Sequence, residues 1–119
     1  MNARTPGFDV METTMGLDSL FSTCEQLQQS GKPLEALAVY QSWLSTSQDA
    51  NRHMAWFNYG SLLQANGNPQ EAINAYKECL ALQPRFPQAL INLGLTLEKT
   101  GKRDEALQQW AALDRKSTV

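Results

Sequence analysis

A pattern of glycine, alanine and aromatic residues occurs three times along this chain, at a spacing of 34 to 36 residues. The middle copy contains Gly60, Leu63, Gly67, Pro69, Glu71, Ala72 and Tyr76. The copy that follows it holds Gly94, Leu97, Gly101, Glu105, Ala106 and Trp110. The copy that precedes it holds Leu27, Gly31, Pro33, Glu35, Ala36 and Tyr40. A period of this length indicates stacked copies of one supersecondary unit.

Each copy divides into two helices at its central glycine. In the middle copy, Gly67 interrupts two runs of apolar residues at helical spacing, and glycine accepts the left-handed backbone that ends a helix. Pro69 then suits a first helical turn, where its missing N–H would have no partner. Helices joined by so short a turn lie antiparallel, and Gly60 and Ala72 are small enough to let them approach closely.

The pattern predicts a single all-α domain over residues 15–119, with repeats at about 17–50, 53–86 and 87–119. The predicted helices are at about 17–29, from 33 onward, 52–66, 69–82, 87–100 and 103–115. Residues 45–51 are polar and are expected to lengthen the loop between the first two repeats. Residues 1–14 show little periodicity, so a mobile leader is predicted there.

The spacing of tryptophan, glycine, alanine, aromatic and proline residues resembles that of the tetratricopeptide repeat family over roughly residues 17–118. This resemblance implies a right-handed α-solenoid of three helix pairs, in which the first helix of each pair lines a concave groove. Repeat one departs from the family pattern at Thr23 and Cys24. Repeat three departs from it at Thr118, where repeat two has Pro84.

Composition narrows the class of partner. The chain has 10 basic and 12 acidic residues, and this near-neutral balance argues against nucleic acid or an anionic membrane as the main partner. No apolar run approaches the length of a membrane span, and the N-terminus lacks the apolar core of a signal peptide. A soluble, cytoplasmic protein is predicted. Cys24 and Cys79 fall at helix-packing positions and are predicted to be buried thiols, without a disulfide.

The reactive groups needed for catalysis are sparse. His53 is the single histidine, and no cysteine, serine or carboxylate recurs around it at a fixed spacing. A phosphate-cradling glycine loop, a paired-cysteine metal motif and a nucleophile elbow are all absent from the sequence. Glu35, Glu71 and Glu105 fall in first helical turns, where a carboxylate interacts favourably with the helix dipole and can cap free N–H groups. No enzymatic activity, cofactor or metal is therefore predicted for this chain.

The family resemblance places a peptide-binding groove on the first helix of each repeat. The predicted groove residues are Phe57, Asn58, Ser61, Gln88, Ile91, Asn92 and Leu95. Asn58 and Asn92 occupy equivalent positions, and an amide can both donate to and accept from a peptide backbone. They therefore favour a non-catalytic module that binds an extended protein segment. The alternative is that both are solvated polar residues or contacts between helices.

Two other functions compete with this prediction. The strings at 40–44, 57–60 and 91–94 resemble the N-terminal repeats of bacterial SPINDLY-type O-linked N-acetylglucosamine transferases, which would make the chain the substrate-recruiting arm of a larger enzyme. A structural assembly module that uses its outer edge is the other candidate. Capture of an acidic C-terminus is disfavoured, because the cation positions of the family's carboxylate clamp hold Phe21, Glu25 and Gln88.

The last helix is predicted to expose an edge. Leu107 and Trp110 correspond to Ile73 and Tyr76, which the following repeat should cover. Either the natural chain continues past Val119 or another subunit covers this edge. Because Asp114 interrupts the apolar strip, only a weak homodimer is expected, dissociating in the micromolar range or above.

Overall fold

The computed structural model describes residues 15–118, with side chains as far as residue 111, and these residues form helices and no strand. The helices are α1 (Leu17–Gln29), α2 (Pro33–Thr46), α3 (Arg52–Ala65), α4 (Pro69–Leu82), α5 (Pro87–Lys99) and α6 (Arg103–Thr118). The predicted all-α class is confirmed. All six helices begin at the predicted residues, and the predicted ends of α1, α3, α4 and α5 are correct to within one residue. In contrast, α6 continues three residues beyond its predicted end at 115.

Three glycines end the first helix of each pair with the same hydrogen-bond pattern. Gly31, Gly67 and Gly101 have φ angles of 75°, 82° and 84°, in the left-handed region that favours glycine. In the middle turn the N–H of Asn68 donates to the carbonyl of Leu63 at 2.9 Å, and the N–H of Gly67 donates to the carbonyl of Gln64 at 3.1 Å. These two bonds form a Schellman motif, and both are repeated at the other two glycines. The repeat is therefore present in the backbone as well as in the sequence.

The chain forms two compact units that divide after Ala55. In the N-terminal unit, α1 packs on α2. Its buried side chains include Leu20, Cys24, Ala36, Tyr40 and Trp43. The indole N–H of Trp43 donates to the carbonyl of Met15 at 2.7 Å, which holds the chain just before α1 against α2.

An ordered turn joins α2 to α3 at the polar stretch that was predicted to be a lengthened loop. The hydroxyl of Ser47 accepts a hydrogen bond from the N–H of Asp49 at 3.0 Å. The carboxylate of Asp49 in turn accepts from the N–H of Asn51 at 2.8 Å, directly before α3 begins. Short side chains that bond to nearby backbone are typical of such turns.

The C-terminal unit has its core between α4, α5 and α6, with α5 packed against both of the others. Its buried apolar residues are Leu62, Leu63, Ala72, Ile73, Ala75, Tyr76, Cys79, Ala89, Leu90, Leu93, Leu97 and Ala106. Gly60 and Gly94 are the close-approach points. A Cβ atom at Gly60 would lie 2.7 Å from the ring of Tyr76, and one at Gly94 would collide with the indole of Trp110. The predicted role of Gly60 in the close approach of α3 and α4 is confirmed.

The two cysteines are free and buried, as predicted. Burial raises the pKa of each thiol to about 11, against an ordinary value of 9.0. For Cys24 a hydrogen bond with Tyr40 partly opposes this rise in pKa. Both thiols therefore stay protonated at neutral pH, and they pack as small apolar groups.

The leader predicted at residues 1–14 lies outside the described residues. Between residues 15 and 118, none of the helices has the length and apolar character that crossing a bilayer requires.

Candidate peptide-binding face

Tyr76 is the centre of the candidate site in the C-terminal unit. It lies on α4, and its side chain is fully buried, with 0% of its surface exposed. The ring packs against the backbone of Gly60 on α3, where a larger residue would collide with it. A buried tyrosine requires a partner for its hydroxyl group. The partners of this hydroxyl define the polar part of the site.

The hydroxyl of Tyr76 connects α3, α4 and α5. It donates to the amide oxygen Oε1 of Gln64 at 2.8 Å, a normal O–H···O distance. The hydroxyl oxygen of Ser61 lies 3.4 Å from the hydroxyl oxygen of Tyr76. The amide nitrogen Nδ2 of Asn92 donates to this Tyr76 oxygen at 3.5 Å, a long hydrogen bond. Ser61 and Asn92, both predicted site residues, are thus brought to one phenol oxygen.

Asn92 retains hydrogen-bonding capacity beyond this contact. Its side chain is half-buried, and with the described residues it makes only the bond to Tyr76. An amide offers two N–H donors and a carbonyl acceptor. One donor is used, so within the described part of the chain the carbonyl oxygen Oδ1 and the second N–H of Asn92 have no other partner.

An exposed apolar stripe surrounds Asn92 on α5. Ile91 and Leu95 lie one helical turn apart, and each has 42% of its surface exposed. Gln88, one turn before Asn92, is also exposed. The opposite side of α5 is already buried in the core. The helix therefore presents two aliphatic side chains and an amide outside the core.

Aromatic contacts extend the site on α3. The ring of Phe57 lies 5.9 Å from that of Tyr76, measured between centroids, in a tilted arrangement. It also lies 5.5 Å from the ring of Phe86, which approaches edge-on just before α5. Such geometries are the favoured ones for aromatic pairs. Phe57 is half-buried and belongs to the wall of the site as well as to the packing.

Asn58 differs from its repeat equivalent. It is half-buried on α3 and makes no hydrogen bond with another residue of the described chain. The sequence predicted equal roles for Asn58 and Asn92. In the structure Asn92 is bonded to the Tyr76 hydroxyl, whereas the Asn58 amide makes no such bond among residues 15–111.

The predicted site contained neither Tyr76 nor Phe86. The ring of Tyr76 is indeed core, but its hydroxyl organises the polar side chains around it. The sequence did contain one signal for this network. A tyrosine at a core position implies a hydrogen-bond partner for its hydroxyl, whereas phenylalanine would fill nearly the same volume without one. A periodic pattern cannot reveal this network, because its members come from different positions in the repeat.

The predicted C-terminal edge is only partly exposed. Leu107 has 49% of its surface exposed, so it is accessible on α6. Trp110 is half-buried, with its indole against Gly94. The side chain of Asp114 lies outside the described residues. Self-association through this edge stays a prediction.

An ion pair between two of the described residues lies at the protein surface. The ammonium group of Lys77 donates to the carboxylate of Glu105 at 3.0 Å, and both side chains are substantially exposed. Glu105, predicted to serve the helix dipole, therefore also pairs α6 with α4. In residues 15–118 no cluster of three or more histidine, cysteine or carboxylate side chains could hold a metal ion.

Comparison with known proteins gives both relatives and structural neighbours. Residues 57–118 match the model of the tetratricopeptide repeat. The chain is 34% identical over 79 residues to the photosystem I assembly protein Ycf3 of Synechococcus elongatus, a match that covers 66% of this chain and 46% of that protein. Ycf3 of Prochlorococcus marinus is 34% identical over 76 residues, covering 63% and 44%. The chain thus spans about half the length of these relatives.

Solved structures of MamA show the same fold. One superposes with a TM-score of 0.76 at 21% identity, covering 92% of this chain and 58% of MamA. MamA from Desulfovibrio magneticus gives a TM-score of 0.72 at 21% identity, covering 88% and 59%. Neither these proteins nor the Ycf3 relatives support the resemblance to SPINDLY-type transferases. The family match covers more than half of the residues, and it agrees with the three glycine-terminated helix pairs. The chain belongs to the tetratricopeptide repeat family.

Proposed function

We propose that this chain is a non-catalytic protein-binding module that holds an extended peptide segment against α5. One observation carries the proposal. Asn92 is anchored to the hydroxyl of Tyr76, retains free hydrogen-bonding groups, and lies beside the exposed side chains of Ile91 and Leu95. This combination can bond a peptide backbone and bury apolar side chains at the same time.

The chemistry of the face favours a peptide over other ligands. A side-chain amide supplies both a donor and an acceptor, so it can make the hydrogen bonds to an extended peptide backbone that a paired β-strand would make. Ile91 and Leu95 supply apolar area, and each buried Å² contributes roughly 25 cal/mol. The predicted contacts on α5 carry no formal charge, so nucleic acid and acidic chain ends are poor ligands for them.

The names of the relatives support a role in assembly. Ycf3 is named for the assembly of photosystem I. By analogy the present chain would hold a segment of a client protein while a complex forms. The cytoplasmic location of the chain remains a prediction.

The proposal predicts that the two asparagines contribute to binding of most ligands alike. Peptides would be selected from a random 12-residue library on the immobilised wild-type protein. Replacing both Asn58 and Asn92 with alanine should weaken the selected peptides by about 0.5–1.5 kcal/mol per lost hydrogen bond, or roughly 5- to 150-fold in total. Titration calorimetry measures the change.

The matched control is Asn74→Ala, which removes an exposed asparagine on α4 and should leave affinity unchanged. Equal affinity in the double variant would show that neither asparagine contributes to peptide binding and that both are solvated polar residues. Failure to select any peptide would contradict the binding module itself.

A further inference from the structure

We infer that Tyr76 is a positioning residue that fixes the Asn92 amide with its oxygen Oδ1 turned toward a bound segment, which donates a backbone N–H to it. This inference rests on the proposed function and adds a ligand class to it. The class is an extended segment with an N–H at the Asn92 contact and apolar side chains on either side. Proline at that contact is excluded, because it has no N–H.

The hydroxyl of Tyr76 has one proton and can donate it to only one of its polar neighbours. The hydroxyl of Tyr76 lies 2.8 Å from Oε1 of Gln64, and the two other polar neighbours are at 3.4 and 3.5 Å. The shortest contact takes the proton. The phenol oxygen is then left with lone pairs only, and a neighbouring group must approach it as a donor.

The position of this proton determines the orientation of Asn92. An acceptor facing the lone pairs of Tyr76 would be repelled, so the amide turns its nitrogen Nδ2 inward. The carbonyl oxygen Oδ1 of Asn92 then faces away from the hydroxyl of Tyr76. Because Tyr76 is fully buried and packed against Gly60, the phenol cannot move aside to release this orientation.

The spacing of the aliphatic side chains on α5 matches that of an extended chain. Side chains on the same side of a strand repeat at roughly 6.6–6.8 Å. Ile91 and Leu95 are separated by four residues, about 6 Å along the helix axis. Two alternate side chains of an extended segment can therefore contact these two aliphatic groups, while the N–H of the residue between them meets Oδ1 of Asn92.

The test combines a backbone scan with removal of one oxygen atom. A peptide selected on the wild-type protein would be N-methylated at one residue at a time, and its affinity measured by calorimetry. For wild type, methylation at one internal residue should weaken binding roughly 2- to 10-fold, the range for one neutral hydrogen bond. In Tyr76→Phe the parent peptide should still bind, and the loss at that residue should fall below twofold.

Tyr59→Phe is the matched control, because it removes a phenolic hydroxyl from a half-buried tyrosine of α3 outside this network. It should keep the wild-type methylation profile. In the free protein, the Asn92 side-chain amide resonances should shift in Tyr76→Phe and stay in place in Tyr59→Phe. This second readout needs no ligand.

The outcomes separate the inference from the proposed function. A flat methylation profile with a peptide that binds, or the same profile in wild type and Tyr76→Phe, would overturn the inference and leave the peptide-binding module intact. Unshifted Asn92 resonances in Tyr76→Phe would overturn it as well. If Asn92→Ala binds the parent peptide as wild type does, the proposed use of this face fails.

Discussion

Truncating Tyr76 to alanine is expected to lower the free energy of unfolding by about 3–5 kcal/mol, the cost found for large aromatic side chains in cores. The ring is completely buried, and it contacts Gly60 and Phe57 as well as filling the space between helices. Its removal leaves a cavity and also leaves Gln64 and Asn92 without their shared partner. Urea unfolding followed by far-UV circular dichroism measures the loss.

Tyr59→Ala is the comparison for this experiment, since Tyr59 is only half-buried and should cost clearly less. Domain stabilities are typically 5–15 kcal/mol, so Tyr76→Ala is expected to remove a large part of the free energy of unfolding. A loss below about 1 kcal/mol would mean that the C-terminal unit repacks around the missing ring, and that Tyr76 does not hold the site together.

Enlarging Ala72 to leucine is expected to cost about 1–3 kcal/mol through overpacking. Ala72 has no exposed surface, and it lies in the first turns of α4, within the core of the C-terminal unit. A leucine there must displace neighbouring side chains or push the helix outward. The melting temperature and the urea midpoint should both fall.

Ala81→Leu provides the matched control, because Ala81 is exposed near the end of the same helix. The same side chain added there should change stability by no more than about 0.5 kcal/mol. If Ala72→Leu were as stable as Ala81→Leu, the close packing of α4 would not be the constraint that keeps this position small.

The helices were predictable because their ends are set locally. Gly31, Gly67 and Gly101 accept the left-handed backbone that ends a helix without the steric cost that other residues incur. Pro33, Pro69 and Pro87 each begin a helix at the position that was predicted. The end of α6 was predicted three residues early, at 115, because no glycine or proline in residues 103–118 marks where a helix stops.

The site was less predictable because it depends on atoms from three helices. The repeat identified Asn92, Ser61 and Phe57 as candidates, but not the phenol oxygen that joins two of them. Equivalent residues also came out unequal: Asn58 and Asn92 occupy the same place in the repeat and have different hydrogen bonds. A sequence period predicts equal positions, whereas neighbours in the folded chain determine what each position does.

The two buried thiols make it possible to measure the cooperativity of this chain. Cys24 lies in the N-terminal unit and Cys79 in the C-terminal one. With pKa values of about 11, both thiols should react with a disulfide reagent at pH 8 only when the surrounding helices open. Labelling rates in Cys79→Ala and Cys24→Ala then report each unit alone. Equal rates would identify a single cooperative unit, and a faster rate at either cysteine would identify the unit that opens first.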